Sequence, residues 1–176
     1  TIFALVVLLG SVAATLPVTL GQGSYLNASL SCPAWVDPPT SFNVTLDIDT
    51  DYDLEAWEAV IWHDPGVLTV TNVYFAGYLP APTSQFWHTM YGGVRLGESV
   101  QTQTYGTGSG ILAYVEFTYI TPAPTNITLA LLYGITTDLT IQYAANTPLQ
   151  CTVSSHYPHP EFYWYTEDGI NPVPNE

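Results

Sequence analysis

Basic side chains are all but missing from this chain of 176 residues. It has no lysine and a single arginine, Arg95, against fifteen aspartates and glutamates, for a formal net charge of −14. A surface of that sign repels polyanions, which excludes nucleic acid as a partner and disfavours anionic membrane surfaces. One arginine supports at most one side-chain ion pair with a carboxylate, so the stability of the fold cannot rest on salt bridges. Protonating the carboxylates relieves repulsion and breaks little, and the chain is expected to stay folded from pH 7 to pH 3.

Other absences narrow the function. No stretch beyond residue 25 keeps helical periodicity for three turns, which argues against a helical or α/β domain. No nucleophile stands beside a base, and the glycine-rich residues 106–110 lead into a strand with no lysine following, so they do not read as a phosphate loop. His63-Asp64 precedes Pro65 at a turn, where aspartate organises backbone amides. The prolines within residues 156–161 hold the chain extended around His156, His159 and Glu161, which argues against a metal site. No catalytic residue is expected.

What is present is a β-protein's composition: 47% hydrophobic residues in short runs, broken by 13 glycines and 14 prolines. Phe42, Val44, Leu46 and Ile48 alternate with Asn43, Thr45 and Asp47, the period of a half-buried strand. Similar runs fall at residues 56–62, 68–75, 112–120, 127–132, 139–143 and 150–154, separated by turn formers such as Asp64-Pro65-Gly66 and Gly92-Gly93. The pattern predicts an all-β, antiparallel sandwich of about nine strands in two sheets. The aromatic run Phe162-Tyr163-Trp164-Tyr165 reads as a final covering strand.

Only two cysteines occur, Cys32 and Cys151, together with three N-glycosylation sequences at Asn27, Asn43 and Asn126. With an apolar N-terminal run, they point to export into an oxidising, glycosylating exterior, a Cys32–Cys151 disulfide and covalent N-glycans.

Two stretches carry a family resemblance. Residues 42–48 and 54–62 run into His63-Asp64-Pro65-Gly66-Val67-Leu68, and residues 108–117 read Gly-Ser-Gly-Ile-Leu-Ala-Tyr-Val-Glu-Phe. Over residues 40–143 this resembles cohesin modules. The resemblance implies a nine-stranded jelly roll and a non-catalytic binding and scaffolding role.

A calcium loop is the most tempting chemistry. Asp47, Asp49, Asp51, Asp53 and Glu58 fall at positions 1, 3, 5, 7 and 12 of such a loop. Position 6, however, is Tyr52 where the sharp turn wants glycine, and Ile48 belongs to the apolar face of a strand. A solvated strand edge with an acidic turn is the simpler reading, and no cofactor is expected.

The N-terminal stretch decides the favoured function. Ile2, Phe3, Leu5, Val6, Val7, Leu8, Leu9, Val12 and Leu16 form an apolar run without a basic segment ahead of it. That arrangement resembles type IV pilins after leader removal, archaeal pilins most closely. Burying each such side chain is worth about 1.5–3 kcal/mol, so the run needs cover. Leu and Ala content and the stop at Pro17 favour a helix; the β-branched residues offer a donor strand instead. The expected organisation is a polymerisation segment at residues 1–20, a flexible joint at 21–24 and a β-sandwich at 25–176. The favoured reading is a subunit of an extracellular, glycosylated, pilus-like surface filament. Its partners would be identical subunits, then surface glycans or other cells, with membrane contact only before assembly. The alternatives are a cohesin-type binding module at the cell surface and a secreted carbohydrate-active protein.

Overall fold

Side-chain alternation builds nine strands: β1 (Leu26–Ser31), β2 (Ser41–Trp62), β3 (Leu68–Phe75), β4 (Ser84–Met90), β5 (Gly93–Ser99), β6 (Gly106–Tyr119), β7 (Thr125–Thr136), β8 (Ile141–Tyr143) and β9 (Leu149–Val153). The computed structural model describes residues 24–101 and 104–155. The expected polymerisation segment, most of the joint, residues 156–161 and the aromatic run at 162–165 lie outside the described residues.

Every strand pairing is antiparallel. The all-β sandwich read from the sequence is the fold observed, and β2 is its spine. The first half of β2 pairs with β1 and β6, and β6 pairs with β3, giving a first sheet in the order β1-β2-β6-β3. The second half of β2 pairs with β5 and β7, extended by β4 on one side and by β8 and β9 on the other. The inward residues of both halves form one core. Val44, Leu46, Ile48, Leu54, Trp57, Ala59 and Ile61 are at most 2% exposed and meet Leu112, Val115, Phe117, Ile127 and Leu129 from β6 and β7. Their burial, at about 1.5–3 kcal/mol for each large aliphatic side chain, drives the two halves together.

The crossover from one sheet to the other falls at residues 50–54, where the pairing of β2 with β6 shifts register. The sequence reading made this acidic stretch a turn. It is instead continuous strand, because its polar groups are satisfied in place. The buried Thr50 hydroxyl donates to the Tyr25 carbonyl at 2.7 Å, and Asp51 Oδ1 accepts the Tyr25 amide at 2.7 Å.

The two long edges of the sandwich differ. On one side Cys32, just past β1, is bonded to Cys151 in β9, with Cα atoms 6.1 Å apart. The Asn146 amide also clamps the Ala28 backbone, accepting from its N–H at 2.9 Å and donating to its C=O at 2.7 Å. This edge is sealed. On the other side β3 and β4 face each other, and among the described residues no strand pairs with the outer edge of either.

Candidate functional site

The two outward faces have opposite chemistry. On the first sheet the register sets Asn27, Asp49 and Ser109 in one row, Ser29 and Asp47 in the next, and Asn43 beside Glu116 further along. These side chains bond one another: Ser109 Oγ donates to Asp49 Oδ1 at 2.6 Å and Ser29 Oγ to Asp47 Oδ2 at 3.2 Å. Along β1 and the first half of β2 the face is polar and acidic, and two of the three glycosylation sequences lie on it; toward β3 it carries Tyr114 and the exposed Tyr74. The third, Asn126, is exposed on β7, where its side-chain oxygen accepts from Thr152 Oγ1 at 2.8 Å.

On the second sheet the register produces an aromatic row. Phe86 of β4 pairs with Gly97 of β5, Gly97 with Glu58 of β2, Glu58 with Tyr133 of β7, and Tyr133 with Tyr143 of β8. A neighbouring row runs His88, Arg95, Val60, Leu131; another runs Ser84, Ser99, Ala56, Ile135, Ile141; a fourth holds Met90, Gly93, Trp62 and Thr128. At about 4.8 Å between strands and about 3.3 Å per residue, these rows cover roughly 20 Å by 20 Å.

Glycine makes the face flat. A Cβ on Gly97 would stand 2.8 Å from Phe86 Cε1, and one on Gly93 would stand 2.7 Å from Trp62 Cε3, so the two rings lie down over the bare backbone of β5. Arg95 rises between these glycines. Its Nε and Nη2 donate to Glu58 Oε1 and Oε2 at 2.5 and 2.7 Å, and its guanidinium sits 5.9 Å from the Phe86 ring centroid. Tyr133 completes the set by donating its hydroxyl to Glu58 Oε2 at 2.9 Å, while its ring meets Tyr143 at 5.9 Å. The chain's one arginine thus sits, satisfied and half-exposed, in the middle of an aromatic platform. A planar guanidinium already fixed by a carboxylate keeps faces and edges free for a partner at little further entropy cost.

The expected site residues fall in different places. The carboxylates of the calcium reading are not brought together: Asp47 and Asp49 point outward from the first sheet, Asp51 caps the Tyr25 amide, and Glu58 is on the second sheet, occupied by Arg95. A straight strand sends alternate residues to one side and cannot wrap an ion as a loop does. Among the described residues no group of three or more His, Cys, Asp or Glu side chains is placed to hold a metal. Asp64 organises its turn as expected, accepting the Gly66 amide at 2.8 Å. The sequence reading missed β4 and β5. The signal was there in Gly93-x-Arg95-x-Gly97, whose two glycines stand four residues apart on one face with Arg95 between them.

The charged groups respond to acid in a defined way. The hydrogen bond from Arg95 holds the Glu58 carboxyl below the usual carboxylate range, and burial holds His63 below the usual histidine range. Both lose stability on acidification: Glu58 as pH falls through its lowered pKa, and His63 as pH falls below about 6.5, where the unfolded chain takes up the proton first. Against this stands relief of the repulsion among fifteen acidic groups. The melting temperature is therefore expected to move by no more than about 5 °C between pH 7 and pH 3. Thermal melts followed by circular dichroism check this, and cooperative acid unfolding above pH 3 would contradict it.

The nine-stranded jelly roll with these two sheets is the cohesin fold. The cohesin module of a Clostridium perfringens family 33 glycoside hydrolase superposes with a TM-score of 0.64 at 12% identity, covering 75% of this chain and 98% of that one. A non-cellulosomal cohesin from the hyperthermophilic archaeon Archaeoglobus fulgidus gives 0.61 at 15% identity, covering 74% and 91%. The structure of a type I cohesin–dockerin complex from Clostridium thermocellum gives 0.62 at 10%, covering 74% and 99%. No protein-family model and no curated protein matches the chain. At these identities the likeness is one of fold.

Proposed function

We propose that this chain is a non-catalytic protein-binding module that docks its partner on the outer face of the second sheet. One observation carries this reading: the glycines of β5 let Phe86 and Trp62 lie flat, so that five strands present a continuous aromatic and aliphatic platform around Arg95. A β-sandwich that needed only solubility would carry polar residues there, as β1 and the first half of β2 do. Cohesins of the same fold are described in complexes with dockerins, which supports a compact protein module as the partner. Glycans at Asn27 and Asn43 would stand on the opposite face and leave the platform open. The glycosylation sequences and the disulfide fit an extracellular, cell-surface setting. The test is retention of a partner from the extracellular fraction of cells that make the protein. Phe86→Ala and Trp62→Ala are expected to release that partner, and Tyr74→Ala on the first sheet to keep it; retention unchanged by the first two would overturn the reading.

A further inference from the structure

The open edge of the sandwich raises a separate question. Exposed edge strands are normally blunted by charge, proline, a bulge or a covering segment, because their unpaired backbone groups template pairing with another chain. β3 is broken by a register shift between Val70 and Asn72, and β1 is clamped by Asn146. Among the described residues β4 has none of these devices. Its seven residues, SQFWHTM, carry no aspartate, glutamate, lysine, arginine or proline, pair with β5 without a register shift, and are exposed from Ser84 to Thr89. Trp87, on the side turned toward β3, is 37% exposed. Among the described residues the sandwich is thus unfinished along one strand.

We propose that the outer edge of β4 accepts residues 2–9 of a second copy of this chain as an added strand, joining copies head to tail. Three observations select this occupant. Residues 2–9, IFALVVLL, are apolar at every position, the pattern of a strand covered on both faces. Their number suits a seven-residue acceptor, and neither partner strand brings charge to the contact despite the net −14 of each copy. The described chain enters through β1, on the edge sealed by Cys32–Cys151, whereas β4 lies on the opposite edge. A donor on one edge and an acceptor on the other define a heterologous contact that repeats without closing. Backbone bonds to β4 hold the strand, and burial of Trp87 and the donor's aliphatic side chains supplies the apolar gain.

The test uses the full chain, as an equal mixture of ¹⁴N- and ¹⁵N-labelled protein carrying the photo-reactive substitution Trp87→p-benzoylphenylalanine. Cross-links from position 87 to residues 2–9 that join one light and one heavy peptide are expected. Cross-links to residues 2–9 found only as same-label pairs, or cross-links found only to residues 156–176 or to another β4, would each overturn the proposal, as would none at all. Sedimentation of the chain carrying Gln85→Lys and Thr89→Lys provides a second readout, since lysines on an edge block strand addition. Its association is expected to weaken at least about tenfold, to the level of a chain lacking residues 1–20. Multimers that persist in the double-lysine chain would count against β4 as the acceptor.

Discussion

A chain carrying Cys32→Ser and Cys151→Ser unfolds with about 4–5 kcal/mol less stability than the disulfide-bonded chain. The two cysteines are 119 residues apart in sequence, and in the chain-entropy model a loop of that length stabilises the folded state by about this amount. The location of the bond makes the loss structural as well. Cys32 follows β1 of the first sheet and Cys151 sits in β9 beside β7 of the second, so the bond fastens the two sheets along one edge. Other fastenings there are the Asn146 clamp on Ala28, the Ala145 amide donating to the Leu26 carbonyl at 3.0 Å, and the contact of residues 34–36 with Ser154, whose amide donates to the Ala34 carbonyl at 2.9 Å. These bonds contribute about 0.5–1.5 kcal/mol each. With a single salt bridge among the described residues, Arg95 to Glu58, no ionic network takes up the loss. Denaturant unfolding of the two chains checks the value; a difference under about 1 kcal/mol would show that the edge is held by other means.

Truncating Phe86 or Trp62 to alanine is expected to weaken partner binding by about 30-fold to 1,000-fold each, the range of about 2–4 kcal/mol typical of aromatic hot spots. Both rings lie over glycine backbone of β5 on either side of Arg95, and both are partly exposed, at 38% and 41%. Neither belongs to the buried core, so folding stability should change far less than affinity. Tyr143, at the β8 end of the same row and 61% exposed, occupies the rim and should cost less when truncated. Titration of each variant against the retained partner, with a thermal melt as control, separates the two effects. Equal losses in affinity and stability would mean that the rings are structural.

Much of the sandwich was legible in the chain because burial on one face writes itself as alternation. Residues 42–48 and 68–75 show this, and the second run coincides with β3. Asp64 was legible for a local reason, since its side chain bonds an amide two residues away. The misses share one cause: they depend on which residues stand opposite each other across strands. Residues 51–53 read as a turn because three acidic or polar residues in a row usually are one, and only the approach of Tyr25 shows how β2 passes through them. Gly93 and Gly97 read as punctuation until Trp62 and Phe86 are placed over them. The row from Phe86 to Tyr143 draws on five strands and on residues as far apart as Glu58 and Tyr143, and no spacing along the chain encodes it. The acidic run suggested calcium for the same reason in reverse, since carboxylates regular in sequence diverge on a strand that changes sheets.

The direct test of the docking face is a hydrogen-exchange footprint of the chain with and without its bound partner. Protection concentrated in β4, β5, residues 54–62 and the Tyr133 end of β7, with the β1, β6 and β3 face unchanged, is the predicted result. Protection on the glycan-bearing first sheet, with β4 and β5 exchanging as in the free chain, would contradict it.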